Sequence, residues 1–155
     1  MHLLGPLSLP AEADTAALAR RLAPLLRRGD ALLLAGPVGA GKSAFARALL
    51  RARLHDPRLD VPSPTFTLVQ AYDGPDGVPL WHADLYRLEG PEGARELGLV
   101  EAFETAICLV EWPDRLGPLT PPGALRLDLA PEGEGREALL SGPAAWAPRL
   151  EALGG

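Results

Sequence analysis

The chain has 155 residues, enough for one domain with a sizeable core, and its 47% hydrophobic and 23% charged residues exclude disordered, collagen-like and coiled-coil classes. A formal charge of −5 argues against autonomous binding to DNA or RNA, whose phosphates draw basic surfaces. Cys108 is the sole cysteine, so neither an internal disulfide nor a four-ligand zinc site is expected, and the reading is a cytoplasmic protein.

Residues 1–14 are apolar in flavour and contain an Ala-Glu-Ala sequence. They lack a positive leading region, and Pro6 and Pro10 interrupt the run, so a secretory signal is not expected. Eighteen consecutive apolar residues occur nowhere, which excludes a membrane-spanning helix. Leu18, Leu22, Leu25 and Leu26 recur at helical spacing, predicting a helix over residues 11–28 with a break at Pro24. Residues 30–35 form a short apolar run between glycines, the pattern of a buried strand. A glycine-rich turn follows, and Phe45, Ala46, Leu49 and Leu50 then predict a helix over residues 42–54. Strand, loop and helix in this order make the first half of a βαβ unit.

Residues 55–64 carry three prolines and read as an exposed loop. Residues 66–72 and 78–84 flank an Asp-Gly-Pro-Asp-Gly turn and read as a hairpin. Short helices are expected at 91–97 and 99–105, then a buried strand at 107–110 that ends at Glu111. A late strand pair, 125–129 and 137–140, surrounds a turn at 131–135, and a last helix occupies 144–153. No repeat or linker divides the chain, so residues 1–155 read as a single domain. The expected class is α/β, with a mostly parallel central sheet flanked by helices.

Gly36, Pro37, Val38, Gly39, Ala40, Gly41, Lys42 and Ser43 satisfy G-x-x-x-x-G-K-[ST] between a strand and a helix, the context a phosphate-binding loop requires. Its glycines let backbone N–H groups turn onto a polyphosphate, and the helix beginning at Lys42, Ser43 and Ala44 adds its positive end. With glycine near ~7% of residues, a chance match is expected in fewer than about one such chain in a hundred. Lys42 is the only lysine beside 14 arginines, so its ammonium is not one surface charge among many. Lys42 would reach the β and γ phosphates, and Ser43 would give its hydroxyl to Mg²⁺. Asp84 and Glu111 both end predicted strands, and at least one is assigned to the metal. The chain has no asparagine, so the Asn-Lys-x-Asp guanine signature is absent and ATP is the expected nucleotide.

Three further segments follow in fixed order: Ser63-Pro-Thr-Phe, His82-Ala-Asp-Leu-Tyr-Arg and Val110-Glu-Trp-Pro. With the phosphate loop they closely resemble the TsaE (YjeE) family of bacterial ATPases, over roughly residues 9–136. The resemblance implies a P-loop ATPase that uses ATP and Mg²⁺ with the TsaD and TsaB proteins. That machinery places the threonylcarbamoyl group on adenosine 37 of ANN-decoding tRNAs, and the tRNA would be held through the partners.

It further implies Ser43 and Glu111 as metal ligands, Asp84 as the acid of Walker-B type and Thr65 as a switch element near the γ-phosphate. Residues equivalent to Glu12, Thr15 and Arg136 would meet the base and sugar. Trp112 either walls the site or packs in the core. Tyr86 and Arg87 orient Asp84 or meet a partner, while His82 reads as structural and Cys108 as core. Two other functions fit the phosphate loop alone: a small-molecule kinase and a non-hydrolytic nucleotide sensor.

Overall fold

The computed structural model describes residues 1–64 and 67–153. Its centre is one seven-stranded sheet: β1 (His2–Leu9), β2 (Ala31–Ala35), β3 (Val69–Asp73), β4 (Pro79–Asp84), β5 (Ile107–Glu111), β6 (Leu125–Glu132) and β7 (Gly135–Ser141), in the order β1-β7-β6-β2-β5-β4-β3. The four middle strands, β6, β2, β5 and β4, are mutually parallel, whereas β1, β7 and β3 join antiparallel at the two sides. All five residues of β2 and of β5 are buried, as strands covered on both faces must be.

Helices α1 (Glu12–Leu22), α2 (Lys42–Arg53), α3 (Pro91–Glu96), α4 (Leu99–Thr105) and α5 (Trp146–Leu150) cover the sheet. On one face Leu32, Leu34, Leu80, Ile107 and Leu109 pack with Phe45, Leu49 and Leu50 of α2 and Leu18 and Leu22 of α1. On the other, Leu33, Ala83, Cys108 and Val110 meet Ala94 of α3 and Leu99 and Ala102 of α4. Strand alternation therefore puts His82, Asp84 and Glu111 on the α2 face, in phase with Leu80 and Leu109.

Several boundaries differ from the sequence expectation. Helix α1 ends at Leu22, short of residue 28, and the break expected at Pro24 falls in the 3₁₀ turn Ala23–Leu25 that follows. The first hairpin strand begins at Val69 instead of residue 66, after Leu68 adopts a left-handed φ of 70°. The late strands run farther, to Glu132 and from Gly135. Strand β1 was not expected at all. Its register with β7 shifts between His2 and Leu4 and again between Leu4 and Leu7, the second across Gly5 and Pro6, the residues that obscure its alternation. Among the described residues no helix is long and apolar enough to cross a membrane.

Candidate functional site

The site lies beyond the carboxyl ends of β2, β4 and β5, where open α/β sheets place ligands. A cavity of about 430 Å³ opens there, bordered by the 38–44 turn, Ser63, Asp84, Tyr86, Glu111, Trp112 and Arg136. Gly36, Gly39 and Gly41 have φ of 144°, 81° and 101°, a left-handed path that L side chains rarely follow. A Cβ on Gly36 would stand 2.3 Å from the carbonyl oxygen of Leu129, so the turn also lies directly against β6.

Helix α2 starts inside this turn with Gly41 as its cap, no side-chain capping bond and no acidic residue in its first turn. Its first N–H groups lack intrahelical acceptors and point out of the helix end, an arrangement suited to an anion. At α1, by contrast, the Asp14 carboxylate accepts the Ala11 N–H at 2.9 Å.

Lys42 is only 5% exposed. Its Nζ donates to the carbonyls of Gly36 and Pro37 and lies 3.8 Å from the centroid of the Trp112 ring. Burial lowers the ammonium pKa from 10.5, against the opposing pull of Glu111 and Asp84. Trp112 has φ 58°, unusual for a bulky residue, and its ring lies 5.0 Å from that of half-exposed Tyr86. Trp112 thus walls the cavity.

Glu111, 2% exposed, accepts the Ser43 hydroxyl on Oε1 at 3.0 Å and lies 2.6 Å from His82 Nε2 on Oε2. Asp84 stands opposite Glu111 in the β4–β5 register, and its Oδ1 accepts the backbone N–H of Tyr86 at 3.1 Å. Among the described residues no three His, Cys, Asp or Glu side chains form a self-sufficient metal cluster. Mg²⁺ does not need one, since it takes one or two carboxylates together with phosphate oxygens and water. The oxygen donors of Ser43, Glu111 and Asp84 fit that sparse set.

Of the residues expected near base and sugar, Arg136 and Thr15 come together, Nη1 to Oγ1 at 3.2 Å. The Arg136 guanidinium lies so close to Gly41 that a Cβ there would be 2.5 Å from Cζ. Glu12 is exposed on the first turn of α1, and neither it nor Thr15, Gly36 or Pro37 borders the cavity, although the Gly36 and Pro37 carbonyls hold Lys42. Thr65 falls outside the described residues. Arg87 is exposed, and Cys108 is fully buried in β5.

Two side chains at the cavity were not singled out for it by the sequence: Ser63, and Tyr86 as an aromatic wall. His82 was read only as structural, although its spacing of two from Asp84 on a strand puts both on one face.

The sequence profile described as "Threonylcarbamoyl adenosine biosynthesis protein TsaE" matches residues 9–138. A curated relative from Rickettsia conorii, named "tRNA threonylcarbamoyladenosine biosynthesis protein TsaE", is 36% identical over 122 residues, 79% of this chain and 69% of the relative. A protein of the same name from Aquifex aeolicus is 39% identical over 116 residues, 74% of this chain and 81% of that one. The crystal structure of Bacillus subtilis YdiB superposes with a TM-score of 0.77 at 28% identity, covering 96% of this chain and 92% of the other. With a profile spanning most of the chain, relatives above 30% identity and a shared fold, this chain belongs to the TsaE family of threonylcarbamoyl adenosine biosynthesis proteins.

Proposed function

We propose that residues 1–155 form one ATP-binding domain that hydrolyses ATP slowly alone and faster on a TsaD–TsaB complex, in threonylcarbamoylation of adenosine 37 of ANN-decoding tRNAs in the cytoplasm. The observation that carries this reading is the convergence of Lys42 and Ser43, at an uncapped helix start, on two strand-end carboxylates, Glu111 and Asp84.

In this reading the N–H groups at the start of α2 donate to oxygens of the phosphate chain, and Lys42 leaves the Gly36 and Pro37 carbonyls to pair with phosphate oxygens. Ser43, Glu111 and Asp84 would hold Mg²⁺, which when bound offsets phosphate charge. Tyr86 and Trp112 narrow the mouth and limit water near the reacting end. Arg136, tied to Thr15 and lying on Gly41, meets the nucleotide at the opposite side of the turn. Thr65 is assigned the switch role, by resemblance. The acidic net charge suits a protein that leaves most tRNA contact to its partners.

The test is ATP turnover with and without TsaD and TsaB, for the native chain and for Glu111→Ala. Slow turnover that rises only with the partners and is lost in Glu111→Ala supports the reading. Turnover indifferent to partners contradicts it, and phosphate transfer to a soluble acceptor would point to a kinase.

A further inference from the structure

We propose that His82 is a positioning residue for Glu111: its Nε2–H holds Oε2 so that Oε1 stays turned toward Ser43. The proposal rests on the reading that Ser43 and Glu111 hold Mg²⁺. His82 is 1% exposed and Glu111 2%, and they meet at 2.6 Å. An ionised carboxylate only accepts hydrogen bonds, so Nε2 carries the proton in this contact. Nδ1 is buried and has no hydrogen-bond partner among the described residues. The ring is therefore held in the core by one polar contact. An apolar side chain would fill the same space without leaving a nitrogen unpaired, so filling space does not account for a histidine here.

What the contact does follows from the strand register. Asp84 and Glu111 stand directly opposite each other, and like charges in that relation repel. The terminal torsion of a glutamate is broad, so repulsion alone would let the carboxylate swing away from Asp84 and Ser43. His82, two residues before Asp84 on the same face of β4, reaches the far oxygen and fixes that torsion. The Ser43 hydroxyl, at 3.0 Å, then meets Oε1 in one orientation. Ser43, Glu111 and His82 form one line from the start of α2 to β4.

Calorimetry of ATP binding to the intact chain, in EDTA and in saturating Mg²⁺, tests this with His82→Gln and His82→Asn. A glutamine amide reaches the place of Nε2, whereas an asparagine amide reaches only that of Nδ1. The native chain and His82→Gln are expected to gain affinity from Mg²⁺. His82→Asn is expected to lose roughly tenfold to a hundredfold of that gain, with Mg²⁺-free affinity equal in all three. A full gain in His82→Asn, or equal losses in both variants, overturns the proposal while leaving the metal reading intact. No Mg²⁺-dependent gain in the native chain overturns both. Nitrogen-15 shifts of His82 in the native chain give a second test independent of variant folding: a protonated Nε2 supports the assignment, and a bare Nε2 overturns it.

Discussion

Ser43 and Glu111, one at the start of α2 and the other at the end of β5, meet through a 3.0 Å hydrogen bond between Oγ and Oε1. Removing the hydroxyl in Ser43→Ala forfeits one hydrogen bond to a carboxylate, about 1.5–3 kcal/mol, which for a chain of this size lowers Tm by several degrees. Its catalytic cost is expected to be larger. With Ser43 as a ligand of Mg²⁺ in the proposed site, loss of its oxygen should cut partner-stimulated turnover roughly a hundredfold, while ATP affinity in EDTA stays within about twofold. Steady-state turnover and a thermal melt of the same sample separate the two effects.

Gly36 and Gly41 predict unequal penalties. Alanine at either must hold a left-handed φ, costing roughly 1–2 kcal/mol. At Gly36 the new Cβ also strikes the Leu129 backbone oxygen at 2.3 Å, a wall that cannot step aside. At Gly41 it strikes the Arg136 guanidinium, the free end of a flexible chain. Gly36→Ala should therefore lower urea stability more than Gly41→Ala, and adding Arg136→Ala to Gly41→Ala should recover part of the loss. Equal losses would contradict this packing.

Lys42 gives the alkaline behaviour a sign. Burial depresses its folded pKa below the unfolded value near 10.5, so in that window the unfolded chain binds the extra proton and stability rises with pH. Stability falls as pH drops through the folded pKa. Cys108 acts oppositely: burial pushes its thiol from 9.0 up to about 12, a contribution present below 9 and lost as pH rises toward 12. ATP favours the ammonium form of Lys42. Affinity should thus weaken with rising pH at a midpoint below 10.5, and Lys42→Arg should flatten that dependence.

Trp112 offers an optical readout. Its ring carries Lys42 Nζ at 3.8 Å, a contact worth about 0.5–1 kcal/mol or more when desolvated. When Lys42 moves to phosphate oxygens the ring loses that charge, so tryptophan emission should change on ATP binding. The change should vanish in Trp112→Phe, which retains Trp81 and Trp146. A full emission change in that variant would place the signal elsewhere.

The phosphate loop was legible because its chemistry is written in backbone: glycine at 36, 39 and 41 is required by positive φ, and the flanking strand and helix have clear periodicity. Asp84 and Glu111 were legible as the last residues of apolar strands. Strand β1 was hidden, since Gly5 and Pro6 break its pattern and its partner β7 lies far along the chain. The contact of Arg136 with Thr15 joins the start of β7 to α1, a closure that no local spacing encodes. His82 was undervalued for a related reason: a lone buried histidine reads as core until the glutamate across the neighbouring strand is seen.

The turn ending in Lys42 and Ser43 is expected to grip a triphosphate beside a divalent ion. Isothermal calorimetry of the native chain and of Lys42→Ala, with ATP and Mg²⁺, tests it most directly. One ATP per chain, bound more tightly with Mg²⁺ and roughly tenfold to a hundredfold more weakly without the ammonium, is the predicted result. Folded native protein that binds no ATP, or binds it equally with and without Mg²⁺ and Lys42, would contradict it.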